Sequence, residues 1–167
     1  FCEPGKDEII TLDPTYGMYQ VSAAIQDIAV QKVPLSKSFE LSANSVLNAL
    51  NSNTKVIFLC TPNNHSGNDL DHEEIQKIIT QFSGIVVIDE AYIDFTDASS
   101  FINNLNNHAN LIVLQTFSKA WGMAALRLGM AFASPQVIRY FNKVKAPYNL
   151  NLLVQKEALM RLEQANR

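Results

Sequence analysis

Three scarcities bound the reading before any motif is considered. Cysteine occurs only as Cys2 and Cys60; the second closes an apolar run in which a free thiol behaves as a small hydrophobe, so a reducing, cytoplasmic setting fits best. Basic charge is in deficit: 13 Lys and Arg against 16 Asp and Glu give a net charge of -3, and no Lys/Arg-rich run supplies a local patch. The positive field that a nucleic-acid binder needs is missing, which argues against nucleic acid as a partner. Long apolar runs are missing as well. No stretch approaches the roughly 20 apolar residues that cross a bilayer, and the opening Phe1-Cys2-Glu3-Pro4-Gly5-Lys6-Asp7 does not resemble a signal sequence, so a soluble protein with no membrane partner is expected. His65, His72 and His108 show no metal-ligand spacing with the cysteines, and no metal site is expected. Internal repeats, low-complexity tracts and linkers are also absent.

What is present suffices for one compact domain and not for two, at 167 residues and 47% hydrophobic content. The chain opens on Phe1 and stops inside the helical-looking segment Leu162–Arg167, so it is read as a piece of a longer polypeptide. From Lys55 onward, short apolar runs alternate with helical patterns, which predicts an α/β, three-layer arrangement with a mostly parallel sheet. Strands are expected at Val56–Cys60, Ile85–Ile88 and Leu111–Gln115, a further one at Gly129–Ala133, and a short one at Glu8–Leu12. Asp71 followed by Glu74 predicts a capped helix whose Ile75, Ile78, Ile79 and Phe82 fall on one face and which ends near Ser83-Gly84. Pro135 predicts the start of another helix, and Ser42–Leu50 carries a weaker helical pattern. The asparagines from Asn103 to Asn110 read as a surface loop.

Three of these strands run into polar segments: Thr61-Pro62-Asn63-Asn64-His65-Ser66-Gly67-Asn68, Asp89-Glu90-Ala91-Tyr92, and Thr116-Phe117-Ser118-Lys119. In open α/β sheets ligands bind outside the carboxyl ends of the strands, so these segments are expected to build one site. Asp89 follows four apolar residues and needs a cationic partner or several donors. Ala91, two residues on, faces the same side and leaves room for a flat group. Thr116, Ser118 and Arg127 are the donors a phosphate requires, the guanidinium offering a planar fork. An amine at Lys119, a phosphate cradle and a carboxylate for a ring nitrogen together describe a pyridoxal phosphate site. Each residue alone also has a plainer reading. Asp89 and Arg127 could form structural ion pairs, Thr116 and Ser118 could satisfy a turn, and Tyr16 could be an ordinary half-buried aromatic.

These motifs, in this order, resemble those of the fold-type-I aminotransferases. Phe1–Asp7, Pro14-Thr15-Tyr16-Gly17-Met18-Tyr19 and Val144-Lys145-Ala146-Pro147-Tyr148 further resemble the histidinol-phosphate aminotransferase family. The resemblance covers nearly the whole chain. It implies that residues 1–167 are the middle of the large, cofactor-binding domain, without the amino-terminal arm and the carboxyl-terminal small domain. It implies Lys119 as the Schiff-base lysine and proton shuttle, and Asp89 as the partner of the pyridinium nitrogen. By the same resemblance Asn64 and Tyr92 bond the ring's phenolate oxygen, Tyr16 and Ala91 cover the two ring faces, and Thr116, Ser118 and Arg127 hold the phosphate. The implied reaction moves an amino group from L-histidinol phosphate to 2-oxoglutarate in a homodimer. The sequence departs from the family at His65-Ser66, where Pro-Thr is usual, which removes a restraint on the backbone of Asn64.

Rival readings remain. An aromatic aminotransferase or a decarboxylase shares the constellation, and a catalytically silent domain kept for binding or dimerisation could retain it. Val86–Ala91 also looks like a Walker B strand, but no Gly-x-x-x-x-Gly-Lys-Ser/Thr loop precedes it.

Overall fold

Alternation along three apolar strands decides which side of the sheet each residue faces. In the computed structural model, which describes residues 1–165, β3 (Thr54–Cys60), β4 (Ile85–Asp89) and β5 (Leu111–Thr116) pair side by side in parallel. Ile57, Leu59, Val86, Ile88, Leu111 and Val113 enter one core, while Val56, Val87 and Ile112 enter a second. Strands apolar on both faces need cover on both, and helices supply it.

The first face is covered by α2 (Ala43–Asn48), α3 (His72–Gln81) and a 3-10 helix at Phe101–Asn107. Asp71 caps α3 as expected, accepting the backbone N–H groups of Glu73 and Glu74, and Ile75, Ile78 and Ile79 point inward. The helix ends at Gln81, two residues earlier than its pattern suggests. Glu74 does not reach back to complete a capping box. Its carboxylate accepts the N–H of Ala43 at 2.6 Å and pairs with Lys77, tying α3 to the start of α2.

The second face carries α1 (Met18–Ile25) and α4 (Pro135–Val144), which contribute Ala23, Val137 and Phe141. Ser134 caps α4 and Pro135 begins it, where a missing N–H is harmless. This cover is incomplete: a cleft of about 360 Å³ remains, bordered by Phe1, Tyr19, Phe58, Val87 and Phe141.

The six-stranded sheet is ordered β2-β1-β3-β4-β5-β6, with β1 at Glu8–Asp13, β2 at Ala29–Pro34 and β6 at Gly129–Ala133. Only β6 is antiparallel. The fold is an α/β three-layer sandwich. The chain runs outward from β1 to β2 and then crosses back to β3, which puts a change of direction, the usual ligand crevice, between β1 and β3. α5 (Leu152–Ala165) closes the described chain. Asn166 and Arg167, the end of the expected terminal helix, lie outside the described residues.

One expectation is corrected. The asparagine-rich stretch is not an irregular surface loop for most of its length. Phe101–Asn107 winds into the 3-10 helix because Ser100 caps it and the buried Phe101 anchors it in the core. Asn110 is also structural, its amide donating to the carbonyls of Ile79, Phe82 and Gly84. Among the described residues no helix is long and apolar enough to cross a membrane, and no group of three His, Cys, Asp or Glu could hold a metal.

Candidate active site

Because β1, β3, β4 and β5 are parallel, their carboxyl ends meet at one edge of the sheet. There Tyr16, Asn64, Asp89, Ala91, Tyr92, Thr116, Ser118, Lys119 and Arg127 line a single cavity of about 300 Å³. All nine residues singled out from the sequence border it. Cys60, Leu114 and Gln115 complete the lining.

Asp89 ends β4, and its side chain, by strand parity, joins the face of Val87. Of the two ways expected to satisfy it, the chain itself supplies donors: a phenol and a backbone amide. Tyr19 Oη donates to Oδ2 at 2.5 Å, and the Ala91 N–H donates to Oδ1 at 3.1 Å. Neutral donors answer the desolvation cost while leaving the negative charge uncancelled.

Lys119 and Arg127 are exposed at the mouth of the cavity, and among the described residues neither forms an ion pair. The Lys119 Nζ sits 5.1 Å from the ring centroid of Tyr92. Asn64 Nδ2 donates to Tyr92 Oη at 3.4 Å, so amide and phenol stand together. Arg127 adopts a left-handed backbone, φ 51°, at the end of the 3-10 turn Ala124–Leu126, and its guanidinium donates to the Ala124 carbonyl at 3.0 Å. A non-glycine residue in that conformation costs on the order of 1 kcal/mol, and Asp27 and Phe39, outside the cavity, adopt it as well.

The Thr116 hydroxyl donates to Leu128 O at 3.3 Å and accepts the Ser118 N–H at 3.1 Å, which shapes the turn leading to Lys119. Gly122, at φ 65°, closes the next turn by donating its N–H to the Lys119 carbonyl at 2.9 Å. Tyr16 is 42% exposed, free on one side, with its edge against Tyr19.

The loop carrying Asn64 is held by hydrogen bonds. Asn63 donates to Pro14 O at 3.1 Å and to Ser66 Oγ at 2.8 Å, and accepts from Thr15 Oγ1 at 2.9 Å. The turns after β1 and β3 are thereby joined across the switch point, and Ser66, one of the departing residues, takes part.

Sequence reasoning passed over Tyr19, Cys60 and Glu90. Tyr19 lies three residues after Tyr16, the spacing that brings side chains together at a helix start. Cys60 is the strand partner of Asp89. Burial, together with the negative charge of Asp89, pushes the Cys60 thiol up to about 11. Glu90 points to the other face and is 1% exposed, accepting from Ser100 Oγ at 2.6 Å, Phe101 N at 2.7 Å and Gln115 Nε2 at 2.8 Å.

The donor set fits pyridoxal phosphate. Two cationic side chains against one carboxylate favour an anion, a methyl and an aromatic ring border a flat space, and the carboxylate presents an acceptor to a protonated ring nitrogen.

A family model described as aminotransferase class I and II matches residues 1–166. The chain is 53% identical over 165 residues to the histidinol-phosphate aminotransferase of Cytophaga hutchinsonii, covering 99% of this chain and 47% of that protein. It is 56% identical over 159 residues to the protein of the same name from Parabacteroides distasonis, covering 95% of this chain and 46% of that protein. The chain thus spans about half the length of the curated relatives it matches. Its fold matches the crystal structure of the histidinol-phosphate aminotransferase from Clostridium acetobutylicum with a TM-score of 0.88 at 20% identity, over 96% of this chain and 50% of that one. The Sinorhizobium meliloti histidinol-phosphate aminotransferase, solved in complex with pyridoxal-5'-phosphate, gives the same TM-score of 0.88 at 22% identity, over 98% and 46%.

Proposed function

The chain belongs to aminotransferase class I and II, and from that membership we propose that it is the pyridoxal-phosphate-binding middle of the large domain of a longer enzyme, without that enzyme's amino-terminal arm and carboxyl-terminal small domain. The enzyme transfers the amino group of L-histidinol phosphate to 2-oxoglutarate, giving imidazole acetol phosphate and glutamate in histidine biosynthesis. The observation that carries the cofactor is the convergence of an amine, a carboxylate and three phosphate donors on one cavity. The donor substrate is supported by identities of 53% and 56% to relatives bearing that name.

When bound, the cofactor supplies a ring that accepts the electron pair released as the donor's α-proton leaves. Lys119 would anchor the cofactor through its amine and, once released, would take the proton from the donor's α-carbon and pass it to the cofactor. Asp89 accepts from the ring nitrogen and keeps it protonated. Asn64 and Tyr92 donate to the ring hydroxyl oxygen and fix the tilt of the ring. Tyr16 and Ala91, which line the same cavity, would border the ring. Ser118 would donate its hydroxyl to the phosphate, Thr116 would turn its own from the Leu128 carbonyl to do the same, and Arg127 would present its fork.

The full-length enzyme is read as a cytoplasmic homodimer. Two free thiols, one of them buried, favour a reducing compartment. Large apolar side chains exposed from Val144 to Met160, Tyr148 at 93% and Leu153 at 78%, call for cover, from a second copy or from the rest of the longer chain. The deciding experiment is a rate assay of the full-length enzyme with histidinol phosphate and with aromatic amino acids as competing donors. Preference for histidinol phosphate is expected. Equal or faster use of the aromatic donors overturns the substrate, and release of carbon dioxide in place of amino transfer overturns the reaction.

A further inference from the structure

We propose that Tyr19 is a positioning residue for the cofactor: its phenol fixes the carboxylate of Asp89 in the orientation that meets the ring nitrogen, and its ring braces Tyr16. The inference rests on the reading of Asp89 and Tyr16 given above.

The geometry that carries it is a side chain held on three sides. Tyr19 is 8% exposed. Its ring stacks on Phe58, with centroids 4.8 Å apart and planes 20° apart, and meets the edge of Tyr16 at 5.5 Å and 85°. Its hydroxyl ends on Asp89 Oδ2 at 2.5 Å, while the other carboxylate oxygen takes the Ala91 N–H. Two donors from separate elements, α1 and the turn after β4, therefore set the plane of the carboxylate. One side chain touches both the acid and the aromatic assigned to the ring.

A phenol suits this position better than a cation. An ammonium or guanidinium beside Asp89 would compete with the ring nitrogen for its charge, whereas a neutral donor satisfies one oxygen and leaves the anion available. Burial, reinforced by the adjacent carboxylate, drives the Tyr19 hydroxyl well above the ordinary phenol range, so it remains a donor. The packing on Phe58 holds the ring in place, and the hydroxyl is the part that acts on the site.

The test compares four forms of the full-length holoenzyme: wild type, Tyr19→Phe, Asp89→Asn and the double variant. Tyr19→Phe removes one oxygen and keeps the ring, and the melting temperature of each apoprotein reports folding separately. A hydrogen bond to a charged group is worth a factor of ~10 or more. Tyr19→Phe is accordingly expected to raise the pyridoxal phosphate dissociation constant and lower kcat about tenfold, while leaving KM for the amino donor within about twofold. In the Asp89→Asn background the same substitution is expected to change neither by more than about twofold, because its effect runs through Asp89. An unaltered dissociation constant and kcat in Tyr19→Phe, or an equal loss in both backgrounds, overturns the inference alone. A wild-type enzyme that takes up no pyridoxal phosphate overturns the proposed function and this inference with it.

Discussion

On one face of the sheet Ile10, Ile57, Ile88 and Val113 are wholly shielded beneath α2, α3 and the 3-10 helix. On the other, Tyr19, Phe58 and Val87 border an open cleft, and the same face leads at its carboxyl end into the candidate site. The boundary between these regimes falls between two consecutive residues. Glu90 turns to the shielded face and is consumed by three local donors. Asp89 turns to the open face, where its two oxygens are oriented but its charge is not cancelled. Strand parity thus separates a carboxylate that holds the fold from one that faces the candidate site, and the difference is whether the partners complete the group or leave it available.

That contrast can be broken from either side. The largest effect is expected at the site: Lys119→Ala in the full-length enzyme should lower transamination by at least ~10³-fold, since proton transfer alone contributes ~10²–10⁴, while urea unfolding of the apoprotein stays near that of wild type. On the shielded face, Ile10→Ala should cost roughly 3–5 kcal/mol of stability and its neighbour Ile9→Ala on the open face clearly less, because the cost of a truncation grows with the cavity it leaves. Equal losses in urea titrations would erase the distinction between the faces. Glu90→Ala strands the Ser100, Phe101 and Gln115 donors and should cost about 2–4 kcal/mol, visible as a lower denaturation midpoint.

Alkaline pH gives the smallest effect. The folded Cys60 thiol ionises at about 11 against an ordinary 9.0. Below pH 9 the proton is bound in both states and nothing is lost. As pH rises from 9 towards 11 the unfolded chain gives up its proton first, so folding weakens by up to ~2–3 kcal/mol in total. Cys60→Ala should flatten that part of the decline in urea midpoints measured between pH 8 and pH 10.5.

Much of this was legible in the sequence because apolar runs and breakers are local signals. β3, β4 and β5 announced themselves, and the polar residues behind them converge in space because parallel strands end together. α1 was not legible: Gly17 provides no side-chain cap and the helix begins without an acidic residue. β2 is an edge strand with a single buried position, Val33, so its pattern is weak. The 3-10 helix hid behind asparagines because its anchor, Phe101, precedes them and its cap depends on Ser100, which is held by Glu90 just after the end of β4. The phenol at Asp89 was missed because Tyr19 and Asp89 lie 70 residues apart.

The central claim is that the exposed amine at the end of β5 is the one that takes the cofactor. Loading the full-length enzyme with pyridoxal phosphate, reducing it with borohydride and mapping the peptides by mass spectrometry tests it directly. The account predicts a single phosphopyridoxyl adduct on Lys119. An adduct on any other lysine, with Lys119 unmodified, would contradict it.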